Sequence, residues 1–415
     1  MEVLKIATAG SVDDGKSTLI GRMLYDTKSL TTDKLEAISK TSKQKGYDYL
    51  DFSLATDGLV AEREQGITID VAHIYFSTAK KSYIIADTPG HVEYTRNMVT
   101  GASTSQAAII LIDARKGVIE QTHRHFFINN LLRIKDVVVA INKMDLVAYS
   151  EETYNAIKSD FEALMAKRDY QEQRITFIPV SALKGDNVVH RSDNMPWYQG
   201  NALLEHFEVL DRKDIYNVGT PRFPVQYVIR PKTEEHHDFR GFAGKVYGGE
   251  LSVGDKVVAL PSRTRSTIKE IYAYDKKYKT AARRSSVTIT LEDEINLSRG
   301  DMLVKEDDLP TVDKQFTATV SWMDAQQLRP GSKYVVQHGV NKALAKVDAV
   351  HHKIRPDYSG IDEDVDGLTM NDIAQVSFKL NKPIFYDAFK EHRTNGSFIL
   401  IDTQSNNTVG AGFIV

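Results

Sequence analysis

The stretch Gly10-Ser11-Val12-Asp13-Asp14-Gly15-Lys16-Ser17 decides the fold, because glycine, four residues and then Gly-Lys-Ser is the spacing of a phosphate-binding loop. The residues before it, Met1–Ala9, read as a first strand, and Lys16–Leu24 reads as a helix. That is the context the mechanism needs. The glycines let the backbone wrap a phosphate so that successive N–H groups point at the charge, and the helix N-terminus adds a partial positive charge. Gly10, Ser11, Val12, Asp13, Asp14, Gly15, Lys16, Ser17 and Thr18 are therefore expected to contact a nucleotide. Lys16 would reach the β- and γ-phosphates and Ser17 would ligate Mg²⁺.

Outward from this loop, short apolar runs alternate with longer amphipathic stretches. The runs Ser82–Ala86, Ala107–Ile112, Val137–Ile141 and Thr176–Val180 are brief and end in polar residues, as buried parallel strands do. Between them, Val92–Ala102, Glu120–Leu132 and Glu151–Lys167 read as helices. The alternation predicts an α/β P-loop domain with an open, mostly parallel sheet flanked by helices. Near residue 215 the pattern changes to short Val-, Ile- and Tyr-rich strands with glycine turns such as Gly248-Gly249 and Gly254-Asp255. Two antiparallel β domains are expected, with Glu306-Asp307-Asp308 and Pro310 at their junction. The expected boundaries are 1–215 for the P-loop domain, 216–309 for the first β-barrel and 310–415 for the second.

Three further motifs sit at strand ends. Asp87-Thr88-Pro89-Gly90 follows the run ending in Ala86. There a carboxylate can hold Mg²⁺ through its water shell, and the Gly90 amide can sense a γ-phosphate. Alone, this tetrapeptide is also a common turn. His91 can orient an attacking water, or can simply cap a helix. Upstream, Glu62-Arg63-Glu64-Gln65-Gly66-Ile67-Thr68-Ile69-Asp70 is polar and includes a threonine hydroxyl able to complete the metal shell, although by its residues it reads equally as a solvated connector.

Asn142-Lys143-Met144-Asp145 supplies a carboxylate able to accept two hydrogen bonds from the guanine N1–H and exocyclic amine. Adenine would leave that carboxylate unpaired. The Lys143 stem can cover the base plane, and Asn142 can tie this loop back to the phosphate loop. Ser181-Ala182-Leu183 follows the fourth run, where a backbone N–H can reach the guanine O6. Together the set selects GTP over ATP.

Composition bounds the alternatives. The 415 residues are 41% hydrophobic and 26% charged with a formal net charge of −3, which argues against broad attraction to nucleic acid. The absence of cysteine removes disulfides and thiolate chemistry and suits a reducing cytoplasm. No charged start followed by a long apolar stretch opens the chain, so no signal peptide is expected. No apolar run is long enough for a membrane span. The pairs His236-His237 and His351-His352 are expected to be surface histidines, since strand neighbours face opposite ways and no further ligands are suitably spaced. The basic Lys276-Lys277-Tyr278-Lys279, with Arg283-Arg284, is expected to be a solvated hairpin.

With these motifs in place the chain resembles the translational-factor GTPases, the group containing elongation factor Tu, over its whole length. In finer detail it is similar to the large subunits of bacterial sulfate adenylyltransferases. That likeness rests on Val12–Arg22, Ala61–Ala72, Ile84–His91 with Tyr94–Met98, Leu111–Gly117, Val137–Leu146 and Asn395–Asp402. The resemblance implies that His91, Lys16 and Thr68 serve catalysis and that Ser17, Thr68 and, through water, Asp87 hold Mg²⁺. It implies a heterodimer whose smaller subunit handles ATP and sulfate, joining them into adenosine 5′-phosphosulfate and pyrophosphate, with GTP hydrolysis on this chain driving the uphill reaction. Higher assembly is left open. No second P-loop and no Ser-Gly-Gly-x-Asp-Ser loop is found, so neither a fused adenylylsulfate kinase nor the adenylyl-transfer chemistry is expected here. The alternative is an elongation- or release-type GTPase acting on the ribosome. The pair Asp13-Asp14 and the sequence Glu64-Gln65-Gly66 look like the sulfate enzyme instead.

Overall fold

The computed structural model describes residues 2–44, 46–47, 49–56, 68, 70–91, 94–210, 219–231, 239–274 and 276–415. The chain divides into two compact units, Met1–Tyr216 with Arg355–Gly360, and Asn217–Ile354 with Ile361–Val415.

Six strands build the sheet of the first unit: β1 (Glu2–Ala9), β2 (Ala72–Ser77), β3 (Lys81–Asp87), β4 (Ala107–Asp113), β5 (Asp136–Asn142) and β6 (Arg174–Pro179). Their order is β2-β3-β1-β4-β5-β6. Every neighbouring pair is parallel except β2 with β3. The exception has a simple cause. Only three residues separate β2 from β3, with Thr78 N donating to Lys81 O at 2.8 Å, and a parallel partner would need a crossover of a dozen residues. β4 and β5 are buried at every position, as strands covered on both faces are.

Helices α1 (Lys16–Asp26), α2 (Thr32–Gln44), α3 (Thr95–Ser103), α4 (Glu120–Leu131), α5 (Glu151–Met165) and α6 (Leu203–Val209) accompany the sheet. Leu19 and Ile20 of α1 pack in one core with Ile6, Ile85, Ile109, Val138 and Ile178. α5 starts where Ser150 Oγ accepts from Thr153 N at 3.1 Å, with Glu151 and Glu152 favourably placed in the first turn. The stretches expected to be helical match α1, α4 and α5 to within two residues, and the described part of the helix expected over 92–102 begins at Thr95. α2 was not anticipated. Only Ile38 and Ser42 of it are buried.

The second unit holds two closed antiparallel barrels. In the first, β7 (Arg222–Ile229), β8 (Gly241–Lys245), β10 (Lys256–Leu260), β11 (Thr264–Ala273), β14 (Ser286–Leu291) and β15 (Met302–Lys305) close through the β10–β11 pair. The short β9 (Leu251–Ser252), β12 (Lys276–Tyr278) and β13 (Thr280–Ala281) are accessory. In the second, β16 (Thr311–Trp322), β17 (Lys333–His338), β18 (Asn341–Ile354), β20 (Ile373–Tyr386), β21 (Ser397–Asp402) and β22 (Thr408–Ile414) close through β17–β18, with β19 (Ile361–Asp362) appended. Closure leaves no long free edge in either barrel.

Arg222 of β7 joins the two barrels. Its side chain is 2% exposed. Nε and Nη2 donate to the two carboxylate oxygens of Asp387, just past β20, at 2.9 and 2.8 Å, while Nη2 also reaches Asp308 Oδ1 at 3.1 Å. Asp308 belongs to the acidic run expected at the junction. The expected surface features are placed as follows. His351 is exposed, with Nε2 2.6 Å from Ser377 Oγ, and Lys276–Tyr278 forms an exposed strand. His236-His237 lies outside the described residues. Among the described residues no group of three or more His, Cys, Asp or Glu could hold a metal ion.

Candidate nucleotide site

The site gathers at the carboxyl ends of the parallel strands, where open α/β sheets bind ligands. β1 runs into the glycine-rich loop. Gly15 has φ +94°, and a Cβ there would stand 2.6 Å from Asn142 Nδ2, so both backbone and space demand glycine. The loop closes on itself: Ser11 N donates to Asp14 Oδ2 at 2.6 Å and Asp14 N to Ser11 O at 3.2 Å. Lys16 Nζ folds over it, donating to Gly10 O at 2.9 Å. Burial pushes the Lys16 ammonium down from its ordinary pKa, against the pull of Asp87, Asp14 and Asp13. Burial also pushes the Asp14 carboxyl up to about 6, although the Ser11 N–H and Lys16 act the other way.

β3 delivers Asp87, which is buried and accepts from Thr8 Oγ1 at 2.9 Å. Thr88 Oγ1 donates to Thr8 O at 2.5 Å, pinning the loop to β1. Gly90 then passes so close to the phosphate loop that a Cβ would collide with Gly10 O and come within 2.8 Å of Lys16 Nζ. His91 follows, exposed.

β5 delivers the loop Asn142–Asp145. Asn142 bridges two others: its Nδ2 donates to Asp14 O at 2.8 Å, and its Oδ1 accepts from Ala182 N at 2.9 Å. Met144 is buried, with its N–H on Val180 O. Asp145 is half-buried, and its Oδ1 accepts from Ser181 Oγ at 2.7 Å, which fixes the carboxylate plane and leaves the other oxygen available. Leu183 O accepts from Arg22 Nη1 at 3.2 Å. Lys143 Nζ donates to Asp13 O and pairs with Asp113 Oδ2 at 3.0 Å. Asp113 in turn accepts from Arg115 Nε and Nη2 at 3.0 and 2.6 Å. Burial alone would raise the Asp113 carboxyl, but the Arg115 and Lys143 hydrogen bonds outweigh it and hold the group well below the usual range.

Among the described residues a cavity of about 510 Å³ opens here. Of the expected residues, Ser11, Val12, Asp13, Gly15, Lys16, Ser17, Thr18, Thr68, Gly90, His91 and Lys143 line it. Gly10, Asp14, Asp87, Thr88, Pro89, Asn142, Met144, Asp145, Ser181, Ala182 and Leu183 do not, and most of them are tied to its wall by the bonds above. The expected switch positions Glu62–Ile67 and Ile69 lie outside the described residues.

Sequence reasoning missed Ser53 and Arg115, which also line the cavity, and Asp113 and Gln121 behind it. Asp113-Ala114-Arg115 carried a usable signal, since it follows an apolar strand just as Asp87 and Asn142 do. Ser53 sits in a single short 3-10 turn and carried none.

The sequence profile of the family described as "Elongation factor Tu GTP binding domain" matches residues 1–216, and that described as "GTP-eEF1A C-terminal domain-like" matches residues 315–415. The chain is similar to sulfate adenylyltransferase subunit 1 of Colwellia psychrerythraea, 49% identical over 100% of this chain and 88% of that protein. It is 48% identical to sulfate adenylyltransferase subunit 1 of Bacteroides fragilis, over 100% of this chain and 86% of that one. It is also 47% identical to the bifunctional enzyme CysN/CysC of Mycobacterium tuberculosis, over 100% of this chain and 67% of that protein.

Proposed function

From the premise that this chain belongs to the sulfate adenylyltransferase subunit 1 family of elongation-factor-like GTPases, we propose that it hydrolyses GTP to drive the formation of adenosine 5′-phosphosulfate and pyrophosphate from ATP and sulfate. The adenylyl transfer belongs to a small catalytic subunit with which this chain forms a heterodimer in the cytoplasm. The observation that carries the GTPase part of the reading is the phosphate cage, a glycine-rich loop with Lys16 folded across it and a neighbouring loop that presents Gly90 to the same cavity; the 48–49% identity to sulfate adenylyltransferase subunit 1 proteins supports the coupling to sulfate activation.

The roles follow from position. Lys16 neutralises charge developing on the transferred phosphoryl group, and the loop N–H groups hold the phosphates. Asp145, oriented by Ser181, reads guanine, and Lys143 covers the base. His91 orients the attacking water from the cavity wall. Ser17 and Thr68 line that cavity, and Asp87 is buried beside β1. This hard-oxygen donor set suits Mg²⁺, which takes few protein ligands and completes its shell with phosphates and water. Bound there, Mg²⁺ would neutralise β- and γ-phosphate charge. The division into domains 1–215, 216–309 and 310–415 is part of the same proposal. Its first boundary lies outside the described residues, and the profile matches to 1–216 and 315–415 support it.

The test is product formation by the purified chain with its small subunit. Adenosine phosphosulfate should accumulate well beyond its unassisted equilibrium level with GTP, and not with a non-hydrolysable analogue. Equal yields with both nucleotides would contradict the coupling.

A further inference from the structure

Helix α4 carries a polar stripe on its inner side that the nucleotide chemistry above does not use. Gln121, His125 and Asn129 recur at every fourth position, so they share one face. His125 is 2% exposed and Asn129 is fully buried. Polar groups are expensive in such places unless something holds them. Asn129 Nδ2 donates to His125 O at 2.7 Å. The ring of His125 lies with Nε2 3.2 Å from Gln121 Nε2. Burial first, then the charges of Lys16 and Arg124, push its pKa down to about 3, so at neutral pH the ring is uncharged and one nitrogen can accept. Gln121 Nε2 has two hydrogens. One reaches Gly90 O at 3.0 Å, and the other can be accepted by His125 Nε2 in the tautomer that carries its proton on Nδ1.

The carbonyl that Gln121 grips belongs to the peptide joining Gly90 to His91. A peptide unit is planar, so fixing its oxygen fixes its N–H and the direction in which the chain enters His91. The same glycine lies against Gly10 O and Lys16 Nζ. Its carbonyl is therefore held from the helix side while its other face meets the phosphate loop.

We propose that Gln121 is a positioning residue for hydrolysis, its amide held beside His125 so that it sets the orientation of the Gly90–His91 peptide. This inference rests on the reading of His91 as the residue that orients water. Gln121 need touch neither nucleotide nor metal. Its contribution is to reduce the number of orientations His91 samples, which is worth rate and little affinity, because positioning matters only where atoms must line up.

The experiment is single-turnover and steady-state GTP hydrolysis by the full chain carrying Gln121→Glu, which keeps the shape but removes the donor, with His91→Ala and the double variant alongside. The expected result is a kcat at least about fivefold lower in Gln121→Glu, with KM for GTP and melting temperature near those of the parent chain. The double variant should be no slower than His91→Ala alone, since the two act through one step. Full-rate hydrolysis by Gln121→Glu beside a slow His91→Ala would overturn the positioning role and leave the reading of His91 standing. Full-rate hydrolysis by His91→Ala would remove that reading itself. A raised KM together with a lowered melting temperature would reduce Gln121 to a structural residue and overturn the proposal.

Discussion

At the scale of the residue, two side chains carry separable parts of the account. Asp145 is aligned by Ser181 and has an oxygen left for the base. Replacing it with Asn turns an acceptor into a donor, so GTP affinity should fall about a hundredfold or more while xanthine nucleotides gain. Competition binding with the two nucleotides checks this, and unchanged GTP affinity would remove the base-reading role. His91 lies on the cavity wall beside Gly90. His91→Ala should leave GTP binding within about twofold and slow hydrolysis about a hundredfold, at the lower end of what a positioned side chain supplies. Pre-steady-state kinetics separates the two quantities.

At the scale of the element, the Asp87–Gly90 loop acts as one piece. Thr88 anchors one end to β1, and Gln121 holds the other from α4. Gly90→Ala puts a methyl group where Gly10 O and Lys16 Nζ already stand, so the loop must retreat from the phosphate loop and, on the proposed function, from the γ-phosphate. Affinity for GTP should drop about tenfold more than affinity for GDP, as displacement of fluorescent nucleotides can measure. An unchanged GTP-to-GDP ratio would show that the loop does not sense the third phosphate.

Elements were also where sequence reading succeeded and failed for visible reasons. The strands around Ala107–Asp113 and Asp136–Asn142 were legible because they are buried on both faces and read as unbroken apolar runs. β2 was missed because it is an edge strand with alternating exposure, and α2 because it buries so little. In the site, motifs that follow a strand were legible, whereas Gln121 and His125 were hidden. Their meaning lies in where α4 packs, and spacing along the chain does not reveal that.

At the scale of the whole molecule, the two barrels of the second unit share a buried ion pair. Burial alone would raise the Asp387 carboxyl, but Arg222 and Asn395 outweigh it and hold the group below its ordinary range. A depressed carboxylate pKa gives stability that is present above the unfolded value of about 4 and is lost as pH falls through the lower folded value. Arg222→Ala would strand a buried carboxylate and should cost about 3–5 kcal/mol. Calorimetry should show the second unit melting earlier, with a deficit that narrows on acidification. A melting profile equal to the parent at neutral pH would show that the pair contributes nothing to holding the barrels.

The central claim is that hydrolysis at the Lys16 cage is coupled to sulfate activation on a partner. The most direct test is the GTP hydrolysis rate of this chain with its small subunit, with and without ATP plus sulfate. The account predicts a rate increase that requires both co-substrates and is accompanied by adenosine phosphosulfate. A rate indifferent to sulfate but raised by ribosomes would contradict it.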